Sequence, residues 1–498
     1  MQWLSGVFRS VDLAVIPCHK VRVAFLPRED RSLNKSRWYL LLITFSLALG
    51  VAYAQWPQRS WLAGDSHIHS HWSAAYDRSN PPQPNIGGDA RYSTPTNAEK
   101  ARQYGLSWMV ATDHGGPNHS KLNLMHAYAE LSESRKTVPQ VLQFYGMELN
   151  MPAMDHHTLI IPNTDDEWKG LFNIESQFDA NEAWPPDPTR NSEAAGFRAL
   201  AFLNAMRKLP LMFANHPARS AKGIGQYGLD EPREFRNNND LAPDVYHGME
   251  GAPGHQAGEN RGAYGNDGAR TFGGFDQMTA IVGGLWDSML GEGRRFWIVA
   301  TSDSHVNFAD PTNPGSDFWP GQYQKTYVRA SREYDDILNG IRSGRIFVTA
   351  GDQISELDFT AASGTSQADT GQTLLLPKGS DVHITIRFRV PESTNAHGDS
   401  PKVSRVDLIT GDVSGPTPNR NGDKNETTKV FARFSEKDWT RSGNSYSLKL
   451  ALPKIDRNIY LRVRGTNTTE PEPMMDAKGE SPWEDLWFYS NPIFVEVR

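Results

Sequence analysis

The run Leu106-Ser107-Trp108-Met109-Val110-Ala111-Thr112-Asp113-His114 decides how this chain is read. Four apolar residues in succession have the length and composition of a buried strand, and the strand delivers Asp113 and His114 at its end. Just before it, Pro95 to Tyr104 reads as a helix: Thr94 can cap it, Pro95 suits the first turn and Gly105 stops it. Helix, strand and polar cluster together make one β/α unit. The pattern recurs at Asp65-Ser66-His67-Ile68-His69, Gly146-Met147-Glu148, Asp155-His156-His157, Asn215-His216-Pro217 and Ser302-Asp303-Ser304-His305. Imidazoles and carboxylates at successive strand ends are how a barrel gathers several divalent metals at one mouth. Twelve of the fifteen histidines lie between His67 and His305, so the chemistry belongs to that part of the chain.

Further units follow the same plan. Ser192 to Leu209 is expected as a helix feeding the strand that ends at His216, and Phe275 to Leu290 as a helix before Trp297-Ile298-Val299-Ala300. Tyr334 to Ser343 and Arg345 to Thr349 close the series. Long polar connections, Asn80 to Ser93, Asn163 to Arg190 and Gly251 to Thr271, exceed ordinary βα loops and are expected to wall a site. After about residue 352 the apolar period becomes two, as in Asp381 to Phe388, which predicts an antiparallel sandwich. The chain therefore divides into 1–54, 55–351 and 352–498.

The first 54 residues read as a leader. Lys35-Ser36-Arg37 precedes the uncharged stretch Trp38 to Ala54, which ends in Ala52-Tyr53-Ala54. This is a basic region, a hydrophobic region and a small-residue cleavage site, so cleavage after Ala54 and a periplasmic or secreted protein are expected. A retained anchor is the competing reading, although 17 residues are short for a span. Residues 1–34 are either a basic extension or a start placed too far upstream.

Removing the leader takes away seven basic and three acidic residues and leaves 44 basic and 55 acidic, a net charge of −11 with histidine neutral. That acidic balance, with no basic run, argues against a nucleic-acid partner. No stable membrane partner is expected after cleavage. The only cysteine, Cys18, falls in the leader. A mature chain without thiolates leaves histidine and carboxylate as ligands, a set that favours zinc, manganese or iron. A His-x-His pair on an extended segment points both rings to one side, which brings His67 and His69 to one metal. Asp65 is placed to orient the ligating imidazoles.

Gly64 to His69, Ala111 to His114, Asn215 to Pro217 and Thr301 to His305 resemble the motifs of the polymerase-and-histidinol-phosphatase (PHP) superfamily, over roughly residues 60–350. Trp286-Asp287 through Gly293-Arg294 and the ending Phe488 to Pro492 are similar to its secreted, carbaryl-hydrolase-like branch. The resemblance implies an α/β fold, a distorted seven-stranded β/α barrel, with up to three metals at the strand ends. It implies His67, His69, Glu148 and Asp303 around one metal, Glu148, His157 and His216 around a second, and His114 with His305 at a third. His157, rather than His156, matches the family's histidine before an apolar strand. Asp113 is carried over as a catalytic residue beside Glu148 and Asp303. The family's acid after the second motif-one histidine is replaced by Ala74 and Ala75, which leaves either Asp77 in that role from a longer loop or a weakly bound third metal.

The expected chemistry is hydrolysis by a hydroxide bridging two ions that share Glu148, without a serine or cysteine nucleophile. A phosphoesterase on small phosphate mono- or diesters is the first reading. A carboxyl-ester or carbamate hydrolase is the second, and a metal-containing binding module the third. Convergent Arg or Lys would favour phosphate; Arg219, just past Pro217, could hold a substrate anion, but an ordinary surface arginine is the reading its position favours.

Overall fold

The helix after the first motif spans Thr94–Gln103, and its N-cap is Ser93, whose hydroxyl accepts from the Thr96 N–H. The cap lies one residue earlier than expected, because Thr94 already has helical geometry and Pro95 occupies the first turn. The computed structural model describes residues 58–257, 261 and 270–498. The leader, its cleavage site and Cys18 lie outside the described residues. Among the described residues no helix is long and apolar enough to cross a membrane.

The fold is mixed α/β, with one large mixed sheet and further antiparallel sheets. Seven of its strands lie side by side in the order Ser60–Ile68, Trp108–Ala111, Leu142–Asn150, His156–Ile161, Leu211–Ala214, Tyr246–Ala252 and Trp297–Ala300. Neighbours are parallel except at His156–Ile161, which is antiparallel to both of its own. The five residues Met151 to Asp155 make a hairpin connection there, too short for a crossover helix. One consequence matters for the site: the start of His156–Ile161 lies beside the ends of its neighbours.

The two ends of this series meet. Thr326, on the strand Gln324–Ala330, accepts from the Ala300 N–H and donates to the Ala300 carbonyl, both at 2.8 Å. Ser304 bridges Ile68 in parallel fashion, and its carbonyl accepts from the His69 N–H at 3.0 Å. The first and last motifs are thereby brought together by backbone contacts.

Close approach of the first two strands depends on Gly64, which pairs with Trp108. A Cβ at Gly64 would sit 1.9 Å from the Trp108 ring, so only glycine lets the buried indole lie across the strand and donate to the Leu62 carbonyl at 3.2 Å. The core behind the sheet holds Phe144, Leu159, Leu200, Met212 and Ile298.

Two expectations change in detail. The helix expected over Phe275 to Leu290 is two, Gln277–Ala280 and Leu285–Gly291, broken where Gly283 takes a φ of +79°. The stretch Asn163 to Arg190, expected as loop, contains the helix Glu167–Phe178, which buries Leu171 and Ile174. Its polar flanks hide a three-turn amphipathic element.

Beyond residue 352 the alternating pattern takes the strand form expected. In Ser380–Arg389, Val382, Ile384, Ile386 and Phe388 are buried while Asp381, His383, Arg387 and Arg389 are exposed. They share a core with Leu408, Leu461 and Val463 from Arg405–Asp412 and Ile459–Thr466. The segment joins the large sheet directly, because Ile346–Ala350 pairs antiparallel with Trp487–Ser490. Asn491 then caps the edge strand Trp297–Ala300: its side chain accepts from the Ile298 N–H at 3.0 Å and donates to the Ile298 carbonyl at 3.3 Å. An edge that would expose backbone is paired instead with an amide side chain.

Candidate metal centre

Glu148 stands at the middle of the strand ends. Its Oε1 lies 3.0 Å from His216 Nε2, 3.0 Å from His156 Nδ1 and 3.3 Å from His67 Nε2, and accepts from Asn215 Nδ2 at 2.9 Å. Its Oε2 lies 3.0 Å from His114 Nδ1 and 3.4 Å from His69 Nε2. Asp303 Oδ1 faces the same space, 3.1 Å from His67 Nε2, 3.2 Å from His69 Nε2 and 3.4 Å from His305 Nδ1. Burial opposes charge on Glu148, yet the imidazoles of His114, His156 and His67 hold its carboxyl well below the usual range.

The donors fit cations rather than one another. The Nε2 atoms of His67 and His69 face each other at 2.9 Å while the Nδ1 of each is occupied elsewhere, by Glu250 at 2.6 Å and Ser73 at 3.0 Å. Asp303 Oδ1 is buried without a hydrogen-bond partner although three imidazole nitrogens surround it. A buried carboxylate oxygen left bare is costly unless a cation takes it. Among the described residues four groups have donor atoms within 4.8 Å of one another: His67, His69, Glu148 and Asp303; His114, Glu148 and His156; His69, Asp89, His114 and His305; and His255, Asp303 and His305. These are buried His/Asp/Glu sets positioned to hold metal ions.

Of the residues expected from sequence, His67, His69, His114, Glu148, His216, Asp303 and His305 meet here. His157 does not. Its ring turns to the Tyr246 hydroxyl at 3.0 Å and the Asp155 carbonyl at 3.0 Å, while His156 takes the place beside Glu148. Hairpin register gives the reason. Glu148 pairs with Thr158, so residues two apart from Thr158 share its face, and His156 is one of them; His157 opposes Leu149 on the other face. Burial lowers the His157 imidazole to about 4, as for a neutral core histidine.

Asp113 also departs from expectation. Its carboxylate accepts from the Ser70 N–H at 2.6 Å and the Ser70 hydroxyl at 2.9 Å and belongs to none of the four groups, so it fixes the turn after His69. Asp77, the candidate for the acid absent at Ala74 and Ala75, does not join the cluster: its Oδ1 accepts from the Ser79 and Gln83 N–H groups. Asp89, within the long Asn80 to Ser93 connection, approaches His305 Nε2 at 3.5 Å and His114 Nε2 at 3.9 Å and accepts from Ser73 at 3.0 Å.

Sequence reasoning passed over Glu250. Its Oε1 meets His67 Nδ1 and accepts from the Thr301 hydroxyl at 3.0 Å, and its Oε2 accepts from the His216 N–H at 2.7 Å. One carboxylate thus holds the ring of His67 and the backbone of His216. The signal was present, since Glu250 follows Met249 on the strand Tyr246–Ala252. His247 on that strand is buried, and burial lowers it to about 3. Asp65 accepts from the His67 and Ser302 N–H groups at 3.1 and 3.2 Å, so it orients backbone rather than rings.

The other histidines have other duties. His71 meets Glu130 at 2.9 Å and His126 stacks on Trp72 at 5.2 Å. His119 is buried with Nδ1 2.5 Å from Glu175 and Nε2 2.9 Å from the Trp72 carbonyl. Burial opposes its charge, but Glu175 raises the imidazole to about 9. A raised folded value contributes stability that is complete below the unfolded value and is lost as pH rises through the folded one. The stability advantage of wild type over His119→Gln should therefore shrink by about 3 kcal/mol between about pH 6 and pH 10, measured by urea unfolding. An advantage that is flat with pH would mean the pair is neutral.

No family model matches the chain, and no curated protein matches it.

Proposed function

We propose that the chain is a metal-dependent hydrolase of ester bonds, built on a distorted seven-stranded β/α barrel of the PHP type. The observation that carries this reading is Glu148, one buried carboxylate within 3.4 Å of five histidines from the ends of four strands. A carboxylate shared in this way suits neighbouring divalent ions. His67, His69, Glu148 and Asp303 would hold one ion, Glu148, His156 and His216 a second, and His69 or His114 with Asp89 and His305 a third. Such ions supply Lewis acidity and make water acidic enough to attack an ester near neutral pH.

The chain's own residues do the rest. Glu250 and Ser73 fix the tautomers of His67 and His69 by holding their Nδ1 atoms. Asn215 donates to Glu148 Oε1 and keeps that carboxylate turned to the cluster. Arg219, clamped on Asp155, is one-third exposed, and its positive charge acts on Glu148 and Asp303. A guanidinium there would bind an anionic substrate oxygen, and this favours a phosphate ester over a carboxyl ester or carbamate. We also read residues 1–54 as an export leader that places the enzyme outside the cytoplasm.

Hydrolysis of aryl phosphate mono- and diesters, compared with aryl acetates and carbamates, tests the substrate class. Phosphate turnover that falls at least about tenfold in Arg219→Met is the expected result. Faster turnover of the acetate or carbamate, unaffected by that change, would overturn the phosphoesterase reading. Asp89→Asn should remove one ion per chain and leave the Glu148-centred ions bound, as read by elemental analysis. Unchanged stoichiometry would show that Asp89 holds no metal.

A further inference from the structure

His255 stands outside the set of histidines that the strand-end motifs point to. It lies on the loop after Tyr246–Ala252, and it sits between two carboxylates. Its Nε2 is 2.6 Å from Asp303 Oδ2, and its Nδ1 is 2.6 Å from Asp317 Oδ1. The remaining oxygen of each carboxylate is committed elsewhere. Asp303 Oδ1 faces His67, His69 and His305, while Asp317 Oδ2 accepts from the N–H groups of His305 and Val306 at 2.9 and 3.0 Å. Ser316 completes the arrangement by donating to Asp317 Oδ1 at 3.0 Å.

Backbone geometry shows the fit to be enforced. His255 and Asp303 both have positive φ, +59° and +46°, a conformation uncommon outside glycine, though His and Asp adopt it more readily than most residues. Between them Gly254 admits close passage: a Cβ on it would stand 2.1 Å from the Ser302 carbonyl oxygen and 2.5 Å from Asp303 Cβ. The loop is therefore pressed against the Asp303 turn so that the His255 ring reaches one oxygen of Asp303.

We propose that Asp317 and His255 are positioning residues that hold Asp303 as a one-oxygen ligand and so set how tightly the Asp303-bound cation is held. This rests on the reading of the cluster as a metal centre. By occupying Oδ2, His255 prevents Asp303 from turning both oxygens to one ion and aims Oδ1 at the space between His67 and His69. Asp317 fixes the ring of His255 and, through the His305 N–H, the backbone of a second ligand. One carboxylate thus sets two ligands.

The test uses the full chain and zinc alone as probe, with affinity read by chelator competition and ions per folded chain by elemental analysis. His255→Leu should weaken zinc at one site by about 10- to 100-fold while the Glu148–His156–His216 ion stays bound. His255→Gln, whose amide can still donate to Asp303, should recover part of that loss. A merely structural role would lower the unfolding midpoint of the metal-free chain without separating Gln from Leu in zinc affinity. His397→Gln, a change at an exposed histidine, serves as the control and should behave as wild type. If His255→Leu does not fold, Asp317→Asn is read in the same assay and should show the same loss at the same site. Wild-type affinity in the folded variants would overturn the proposal alone. Zinc that fails to bind the wild-type chain would overturn the metal-centre reading beneath it.

Discussion

Glu148→Gln should abolish hydrolysis and strip the centre of its cations. The change keeps the volume and one acceptor oxygen but removes the negative charge that two ions would share. Five imidazole nitrogens would then face a neutral amide, and the amide NH₂ would point a donor at nitrogens that need a cation. A fall in kcat/KM of at least about 1,000-fold, or about 4 kcal/mol of barrier, is expected. Elemental analysis should show fewer ions in the same sample, because Glu148 belongs to two of the four donor groups. The asparagine beside it makes the prediction sharper. Asn215 donates to the oxygen that His216 and His156 also approach, so the carboxylate cannot rotate away to spare one contact. Activity and metal content both near wild type would mean that the strand-end cluster is not the catalytic centre.

The second large effect separates adjacent histidines. His156→Ala should lose the ion shared with Glu148 and His216 and reduce activity by at least about 100-fold, with little change in the metal-free unfolding midpoint. His157→Ala should do the reverse. Its ring is fully buried and bonded to Tyr246, so its removal leaves a void and takes one hydrogen bond from that hydroxyl, at a cost of about 2 to 3 kcal/mol. Metal content and kcat per folded molecule should stay near wild type. Thermal unfolding without metal, paired with elemental analysis, reads both outcomes. An exchange of the two phenotypes would place His157 in the centre and reverse the register argument.

That pair also shows where sequence reasoning stops. The strand-end histidines and acids were legible because an apolar run with a polar terminus declares its own end, and seven of the expected residues converge as a result. The choice between His156 and His157 was not, since it depends on which residue pairs with Glu148 across a hairpin. Parity is set by the length of the connection Met151 to Asp155, and one residue more would turn the other ring inward. Asp113 misled for the opposite reason: it sits in the right motif, but its carboxylate is used up by Ser70.

Long-range supply was harder still. Asp89 reaches the centre from a polar loop whose path no local periodicity records, although the loop's length did suggest that it walls a site. Glu250 lies on the strand Tyr246–Ala252 and His255 just after it, outside the six strand-end clusters. The antiparallel strands after residue 352 followed from period-two alternation. Their continuity with the large sheet through Trp487–Ser490 is a non-local pairing that alternation cannot reveal.

Metal content of the purified full chain is the most direct test of the central claim, with anomalous scattering from crystals to locate each ion. Two to three divalent ions per chain are expected, every one within bonding distance of Glu148, Asp303 or Asp89. A chain that binds none when offered zinc, manganese or iron, or that binds them only away from these carboxylates, would contradict the account.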